Sequence, residues 1–342
     1  MPPPSIRSLA RQLGLSASTV SLALRASPQV VPATSRRVQR AAQRAGYVPN
    51  PLVRSVMAAV RRSSQKSFQG ALLALNYTAA EKPEQSRYHC EVFAGAQRRA
   101  VELGFSMELC WVGPRQLSLP RLNTIIRARN VQGLMVIPFA ETLDFRALKW
   151  SSLAAVVMDY CLSAPTLHSV VPDHHVAIGR ALERLEQRGY TRPGLAVAET
   201  QDRRVLHKWS AGFASHFQKV RRPVPVPPMQ ASAITREEFL RWFRAHRPDV
   251  LLGHRQEEMV GWLAEEGLAV PRDVGFVQLN WTERFMPCAG LNHQPELLGA
   301  AAVESVVAQL QRNEQGVPEN PKTIALVSRW VDGPTVRPAT GG

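Results

Sequence analysis

The chain has 342 residues, of which 45% are hydrophobic and 20% charged, and carries a net charge of +15. That length exceeds one ordinary domain and suffices to bury sizeable cores. The composition excludes a disordered chain, and no apolar run approaches the roughly 18 residues of a membrane span.

Positive charge is concentrated at the start. Residues 1–66 hold eleven basic side chains and no Asp or Glu, the first acid being Glu81; the remainder holds 31 basic and 27 acidic residues. An acid-free segment of this length is a surface built for a polyanion. Within it, Ile6, Leu9, Ala10 and Leu13 share one helical face, with Ser5 as N-cap. Gly14 breaks that helix where a left-handed residue is required. Ser16 caps a second helix that buries Val20 and Leu24. Two short helices joined at a glycine predict a helix-turn-helix, whose second helix enters the major groove. A third helix starts at Pro32, with Val38, Ala41, Ala42 and Ala45 inward and Arg36, Arg37, Arg40 and Arg44 outward, and ends at Gly46.

The run Ile6-x-x-Leu9-Ala10-x-x-Leu13-Gly14-Leu15-Ser16-x-x-Thr19-Val20-Ser21-x-x-Leu24, followed by Gly46-Tyr47-Val48-Pro49-Asn50-Pro51, resembles the headpiece of the lac repressor family of transcriptional regulators. The resemblance implies that Ala17, Ser18 and Leu22 face base edges. Ser18 can hydrogen-bond a base, and Ala17 or Leu22 can touch a thymine methyl. It implies that Ser16, Thr19, Ser21 and Thr34 contact phosphates or cap helices. Ser5, Arg25, Arg36, Asn50 and Arg54 complete the expected DNA-facing set.

Residues 52–62 read as a short amphipathic helix, with Leu52, Val53, Val56, Met57 and Val60 on one side. In the lac repressor family this is the hinge helix, which pairs across a dimer in the minor groove. Val56 stands where an apolar side chain wedges into a base step, with Met57 beside it. A helix of about eleven residues is marginal alone in water, so folding only on DNA is physically reasonable. A merely amphipathic linker is the alternative.

From residue 68 strands alternate with helices. Strands are expected at 70–75, 105–112, 133–137, 154–158, 194–198, 249–252 and 274–278. Helices are expected at 88–103, 120–130, 176–188, 209–220, 235–246, 257–266 and 297–313. Repeated βα units of this length predict parallel sheets covered by helices on both faces, with a cleft at the carboxyl ends of the strands. Gly104-Phe105, Gln132-Gly133-Leu134, Gly189-Tyr190, Gly212-Phe213, Pro248-Asp249 and Gly267-x-x-Val270-Pro271-x-Asp273-Val274 extend the family resemblance over the whole chain. The fold class is therefore α/β: a helix-turn-helix headpiece (1–50), a hinge helix and linker (51–67), and a two-lobed core (68–342) similar to a periplasmic sugar-binding protein. Lobe 1 is expected at about 68–163 and 296–319, lobe 2 at about 164–295 and 320–342.

The same mapping implies a small-molecule site lined by Asn76, Tyr77, Tyr88, Phe93, Pro138, Asp159, Trp209, His254, Arg255, Asn280 and Gln294. Three positions depart from the family pattern. Trp209 stands where an Arg is usual, His254-Arg255 replaces Asn-Asp, and Asn280-Trp281 replaces a pair containing Asp. The aromatics of a sugar site are present and its charged clamp is largely missing, so the effector is a small polar ligand, a carbohydrate being one option. Asp173-His174-His175 reads as a helix-entry Asp followed by solvated histidines.

No Walker loop or G-x-G-x-x-G is present, and no cofactor or metal is expected. Cys90, Cys110, Cys161 and Cys288 are scattered without C-x-x-C spacing, as befits free, mostly buried thiols. The start, Met-Pro-Pro-Pro-Ser, lacks the regions of a secretory leader, which points to the cytoplasm. The resemblance implies a homodimeric repressor of an inverted-repeat operator, and the cleft offers no base–nucleophile pair for catalysis. The alternatives are a regulator or architectural protein with a degenerate cleft, and an enzyme carrying a DNA-binding tag.

Overall fold

The computed structural model describes residues 6–24, 30–45, 70–84, 86–139, 142–221, 223–229, 231–283 and 287–339. The expected hinge helix, and with it Arg54, Val56 and Met57, lies outside the described residues, as do Ser5, Arg25 and Asn50.

Three helices form the headpiece: α1 (Ile6–Leu13), α2 (Ala17–Leu24) and α3 (Pro32–Arg44). Gly14 takes φ +63° between the first two, a conformation that costs glycine little. Ser16 Oγ accepts from the Thr19 amide at 3.0 Å and so caps α2. Pro32 opens α3, where a missing N–H costs nothing. Leu9, Ala10, Val20, Ala23, Val30, Val38, Ala41 and Ala42 are buried together. Ala45, expected inward, is exposed because α3 ends at Arg44 and Ala45 is its C-cap. Leu24 is only half-buried; Ala23 takes the core position beside Val20.

The core elements are, in chain order, β1 (Gly70–Tyr77), α4 (Arg87–Glu102), β2 (Phe105–Val112), α5 (Leu119–Ala128), β3 (Gly133–Val136), β4 (Leu143–Asp144), β5 (Ala154–Met158), β6 (Leu162–Ala164), β7 (His168–Pro172), α6 (His174–Glu186), β8 (Pro193–Ala196), α7 (Glu199–Arg204), α8 (Lys208–Lys219), α9 (Arg236–His246), β9 (Val250–Gly253), α10 (Gln256–Glu265), β10 (Gly275–Gln278), β11 (Gly290–Asn292), α11 (Pro295–Arg312), β12 (Thr323–Leu326) and β13 (Arg329–Val331). Lobe 1 is built on a six-stranded sheet of order β12-β7-β5-β3-β1-β2, parallel throughout. Lobe 2 is built on a five-stranded sheet of order β13-β11-β10-β9-β8, parallel except for the final antiparallel strand β13. Apolar clusters cover both faces of each sheet, as doubly wound sheets require.

β7 and β12 pair within the lobe 1 sheet, although the sequence landmarks put both in lobe 2. The chain crosses between lobes after β7, after β11 and after β12, so the first and third crossings come later than expected and the second falls close to where it was expected. The second and third crossings are tied together. His293 Nδ1 and Ser328 Oγ lie 2.6 Å apart, and Gln294 Nε2 donates to Val327 O at 2.9 Å. Among the described residues no helix is long and apolar enough to cross a membrane.

Candidate ligand cleft and DNA-binding headpiece

Strand order in lobe 1 reverses between β1 and β3, so the carboxyl ends there open a crevice. Asp159 follows β5, His254 follows β9, and Gln278 and Asn280 end β10. Residues of the two lobes meet at this level. Arg204, the last residue of α7 in lobe 2, donates to Asp159 Oδ2 at 3.0 Å. His174, which opens α6, brings Nε2 to 3.9 Å from Asp159 Oδ1. Lys208 lies 5.1 Å from the Tyr160 ring, and Arg87 pairs with Glu283 at the rim.

Around Trp209 stand three imidazoles. Its ring centroid is 4.4 Å from that of His174, 5.8 Å from His254 and 5.8 Å from His293. His254 Nδ1 lies 3.3 Å from Asn280 Oδ1, which accepts from Gln278 Nε2 at 2.8 Å. Burial depresses the His254 pKa to about 4 and pushes that of His293 well below its ordinary value, with His174 adding to both. Both rings are therefore neutral at physiological pH. Burial opposes ionisation of Asp159, but His174 and Arg204 outweigh it and hold its carboxyl below the usual range. Burial raises the Tyr88 hydroxyl, and the Asp159 charge adds to the effect. The site thus contains the Asp159–Arg204 ion pair, the neutral rings of His254 and His293, and amides.

Several of its polar atoms are unsatisfied. Asn76 Nδ2, Asp159 Oδ1, both ring nitrogens of His174 and Gln278 Oε1 are buried without a hydrogen-bond partner. Buried polar atoms ordinarily find partners, because an unmade hydrogen bond costs about 1–3 kcal/mol. Donors and acceptors are both represented, the pattern a bound polar molecule would complete.

Of the residues inferred from sequence, Asp159, Trp209, His254 and Asn280 converge, and Tyr88 lies close enough to feel the Asp159 charge. Asn76, the last residue but one of β1, accepts at Oδ1 from the Tyr77 amide. Tyr77 itself turns to Phe139, at 5.5 Å between centroids. Phe93 packs on the lobe 1 core, and Pro138 is buried after β3. Arg255 points elsewhere: it binds Glu258 and the Ile234 carbonyl and lies over Trp262. Gln294 serves the chain crossing. His174, expected to be solvated, is 5% exposed, while Asp173 does cap α6 by accepting from Val176 N. Arg204, His174 and His293 were missed from sequence. A guanidinium does stand in the cleft: that of Arg204 on α7, five residues before the position where an Arg is usual, paired with Asp159. Among the described residues no group of His, Cys, Asp or Glu has the arrangement of a metal site.

On the headpiece, Arg36, Arg37, Arg40 and Arg44 are exposed on α3, and Thr19, Leu22 and Thr34 are half-buried. Arg37 Nη2 donates to Leu13 O at 2.6 Å, satisfying a terminal carbonyl of α1. Thr19 Oγ1 lies 2.7 Å from Ser16 Oγ.

A helix-turn-helix headpiece joined to two doubly wound lobes around a polar cleft defines a DNA-binding regulator with a periplasmic-binding-protein-like core. Residues 5–50 match the model of bacterial regulatory proteins of the lacI family, and residues 182–336 match that of a periplasmic binding protein-like domain. Together these matches support a transcriptional regulator of the lacI type. It is similar to the HTH-type transcriptional repressor PurR of Haemophilus influenzae (strain PittEE), at 22% identity over 92% of this chain and 93% of that one. Its fold resembles that of the CelR–cellobiose complex, with TM-score 0.56 and 18% identity over 97% of this chain and 99% of that one. The lac repressor dimer bound to operator and the anti-inducer ONPF is similar to the same degree, with TM-score 0.56, 18% identity and coverage of 97% and 99%.

Proposed function

We propose that the chain represses transcription as a homodimer on an inverted-repeat operator, and that a small, neutral, hydroxyl-rich ligand in the cleft sets its affinity for DNA. The observation that carries the ligand reading is the set of unsatisfied buried atoms on Asn76, Asp159, His174 and Gln278. Vicinal hydroxyls both donate and accept, and so complete such a set. A carboxylate beside a guanidinium adds charge-assisted strength without a net charge for the ligand to neutralise. A carbohydrate has this chemistry, and the fold is shared with a regulator whose structure contains cellobiose.

In the headpiece, Ala17, Ser18 and Leu22 read base edges while Ser16, Thr19, Ser21, Thr34 and Arg36 engage phosphates. Val56 and Met57 wedge the minor groove from paired hinge helices. Ligand binding alters lobe closure and thereby hinge pairing; it shifts DNA affinity only by its differential affinity for the two states. A cleft enzyme would need an accessible base and nucleophile. The Ser328–His293 pair is exposed by only 7% and 4%, and ties two chain crossings instead.

Genome-wide mapping of bound sites tests the first half of the proposal: an inverted-repeat motif is expected, and scattered binding without a motif would refute it. Titration of operator complexes with neutral mono- and disaccharides tests the second, with a shift of at least tenfold in DNA affinity expected for one of them.

A further inference from the structure

Arg204 and Trp209 stand on either side of a tight corner between α7 and α8. The corner contains two consecutive non-glycine residues in the left-handed region, Leu206 and His207, each at φ +57°. Side chains adopt that region at a cost of roughly 1–2 kcal/mol per residue, and such geometry persists only when its surroundings enforce it. One side chain does the enforcing. Asp202 is 7% exposed and reaches the ligand cluster through the backbone amide of Trp209. Its Oδ1 accepts from Trp209 N at 3.1 Å and Ser210 N at 3.3 Å; its Oδ2 accepts from Ser210 Oγ at 2.5 Å and lies 3.4 Å from His207 Nδ1. Its backbone carbonyl accepts from Val205 N at 3.1 Å and His207 N at 2.8 Å. A single residue thus closes both the start of α8 and the turn that precedes it.

We propose that Asp202 is the positioning residue of the ligand cleft: by holding the α7–α8 corner in its left-handed form, it sets Arg204 against Asp159 and Trp209 against His174. Without it the corner relaxes toward ordinary backbone angles. Arg204 then withdraws from lobe 1, and the Trp209 ring loses its place among the three imidazoles. Asp202 acts through Arg204 and Trp209, so its effect on binding overlaps that of removing Arg204, and the two losses cannot simply multiply. This assignment rests on the reading of the cleft as the ligand site for its consequence in binding, but not for its consequence in structure.

Two experiments on the full-length protein separate these. In the first, binding of a panel of neutral mono- and disaccharides is measured for Asp202→Ala, Asp202→Asn, Arg204→Gln and the double variant Asp202→Ala/Arg204→Gln. The expected result is at least a tenfold loss for Asp202→Ala and for Arg204→Gln, a loss in the double variant well short of the product of the two, and recovery to within threefold in Asp202→Asn, which keeps the Oδ1 acceptor. Losses that multiply in the double variant, or no loss in Asp202→Ala, would overturn the assignment. In the second, amide hydrogen exchange is followed with no ligand present. Asp202→Ala is expected to speed exchange at least tenfold in a peptide spanning 203–211 and to leave β9 and α9 unchanged; Arg204→Gln is expected to leave 203–211 protected. Unchanged protection in Asp202→Ala would refute the corner's dependence on it. If no saccharide binds the wild-type protein, the ligand class falls and the exchange result alone decides Asp202.

Discussion

Arg204 and Asp159 belong to different lobes, and their side chains meet at 3.0 Å with the carboxylate almost fully buried. The pair joins the lobes and neutralises a charge that would otherwise sit desolvated in the cleft. Breaking a buried pair costs more than deleting both charges, because the surviving charge is left unpaired.

Arg204→Met is therefore expected to lower the stability of the core by about 2 kcal/mol, below the roughly 3–5 kcal/mol of fully buried pairs because Arg204 remains partly solvated. Adding Asp159→Asn should recover most of that loss; Asn also tolerates the left-handed backbone at this position, φ +59°. Urea midpoints of the three proteins check it, and a double variant no more stable than Arg204→Met would contradict the account.

Acid should destabilise the closed core well above the range in which carboxylates titrate. His254 has its folded pKa depressed to about 4 and His293 well below its ordinary value. In the unfolded chain both titrate near 6.5. Below about pH 6.5 the unfolded state therefore binds protons that the folded state refuses, and stability falls as pH falls. Loss continues through the window down to about 4 for His254. With two such groups the slope approaches ~3 kcal/mol per pH unit. Asp159, whose pKa is lowered, acts in the same direction at lower pH still. Denaturant unfolding between pH 7 and 4.5 measures the slope, and His254→Gln with His293→Gln should flatten it.

Helices α4 and α11 cross where Gly95 faces Glu296 and Gly299 faces Val92. A Cβ at Gly95 would lie 2.0 Å from Glu296 O, and one at Gly299 would lie 2.0 Å from Val92 O. Both obstacles are backbone, so the helices themselves must separate. Gly95→Ala or Gly299→Ala is expected to cost at least ~3 kcal/mol. Gly179 on α6 and Gly261 on α10 have nothing within 4 Å of an added Cβ. Alanine at either should stabilise by about 0.5–1 kcal/mol, since helical glycine carries an entropic penalty. Thermal melts of the four variants would show opposite signs, and similar effects in all four would refute the close-crossing argument.

Operator binding should weaken steeply with salt. Eleven uncompensated positive charges precede residue 67 in each protomer, and neutralising several phosphates per headpiece gives a slope of log K against log salt steeper than about −4. A nearly flat slope would contradict phosphate contact by this segment. Ser16→Ala removes the cap of α2 and should cost the headpiece about 1 kcal/mol. Val56→Gly should lower specific affinity at least tenfold while sparing non-specific binding, measured by competition between operator and scrambled DNA.

Much of the fold was legible in sequence because the long elements carry strong periodicity. The helices at 88–103 and 297–313 and the strand at 105–112 were placed to within two residues of α4, α11 and β2. The short strands β4, β6, β7, β11, β12 and β13 were not anticipated. They are two to five residues long, too short for a period of two to stand out, and β7 ends on a proline. In the cleft, Asp159, His254 and Asn280 come just after strands, where α/β folds place ligand groups, and Trp209 joins them from the first turn of α8. Arg204 was missed because its reach depends on a left-handed corner that no local pattern announces. His174 was misjudged because adjacency to His175 suggested a solvated pair, whereas the helical twist sends one ring inward and the other out.

The bonds between His293 and Ser328 and between Gln294 and Val327 bear on how the two lobes can move. Three strands of chain pass between them, but two of the three are stitched side by side. A body hung on three separate cords can twist, shear and bend. One hung on a stitched ribbon and a single cord has a preferred axis, running through both attachments. Rocking about that line displaces the far lip of the crevice, where Arg87 meets Glu283, much more than the region beside the stitched pair. The molecule is in this sense a clamshell with a stiffened spine, and a single rotation is the movement that these attachments resist least.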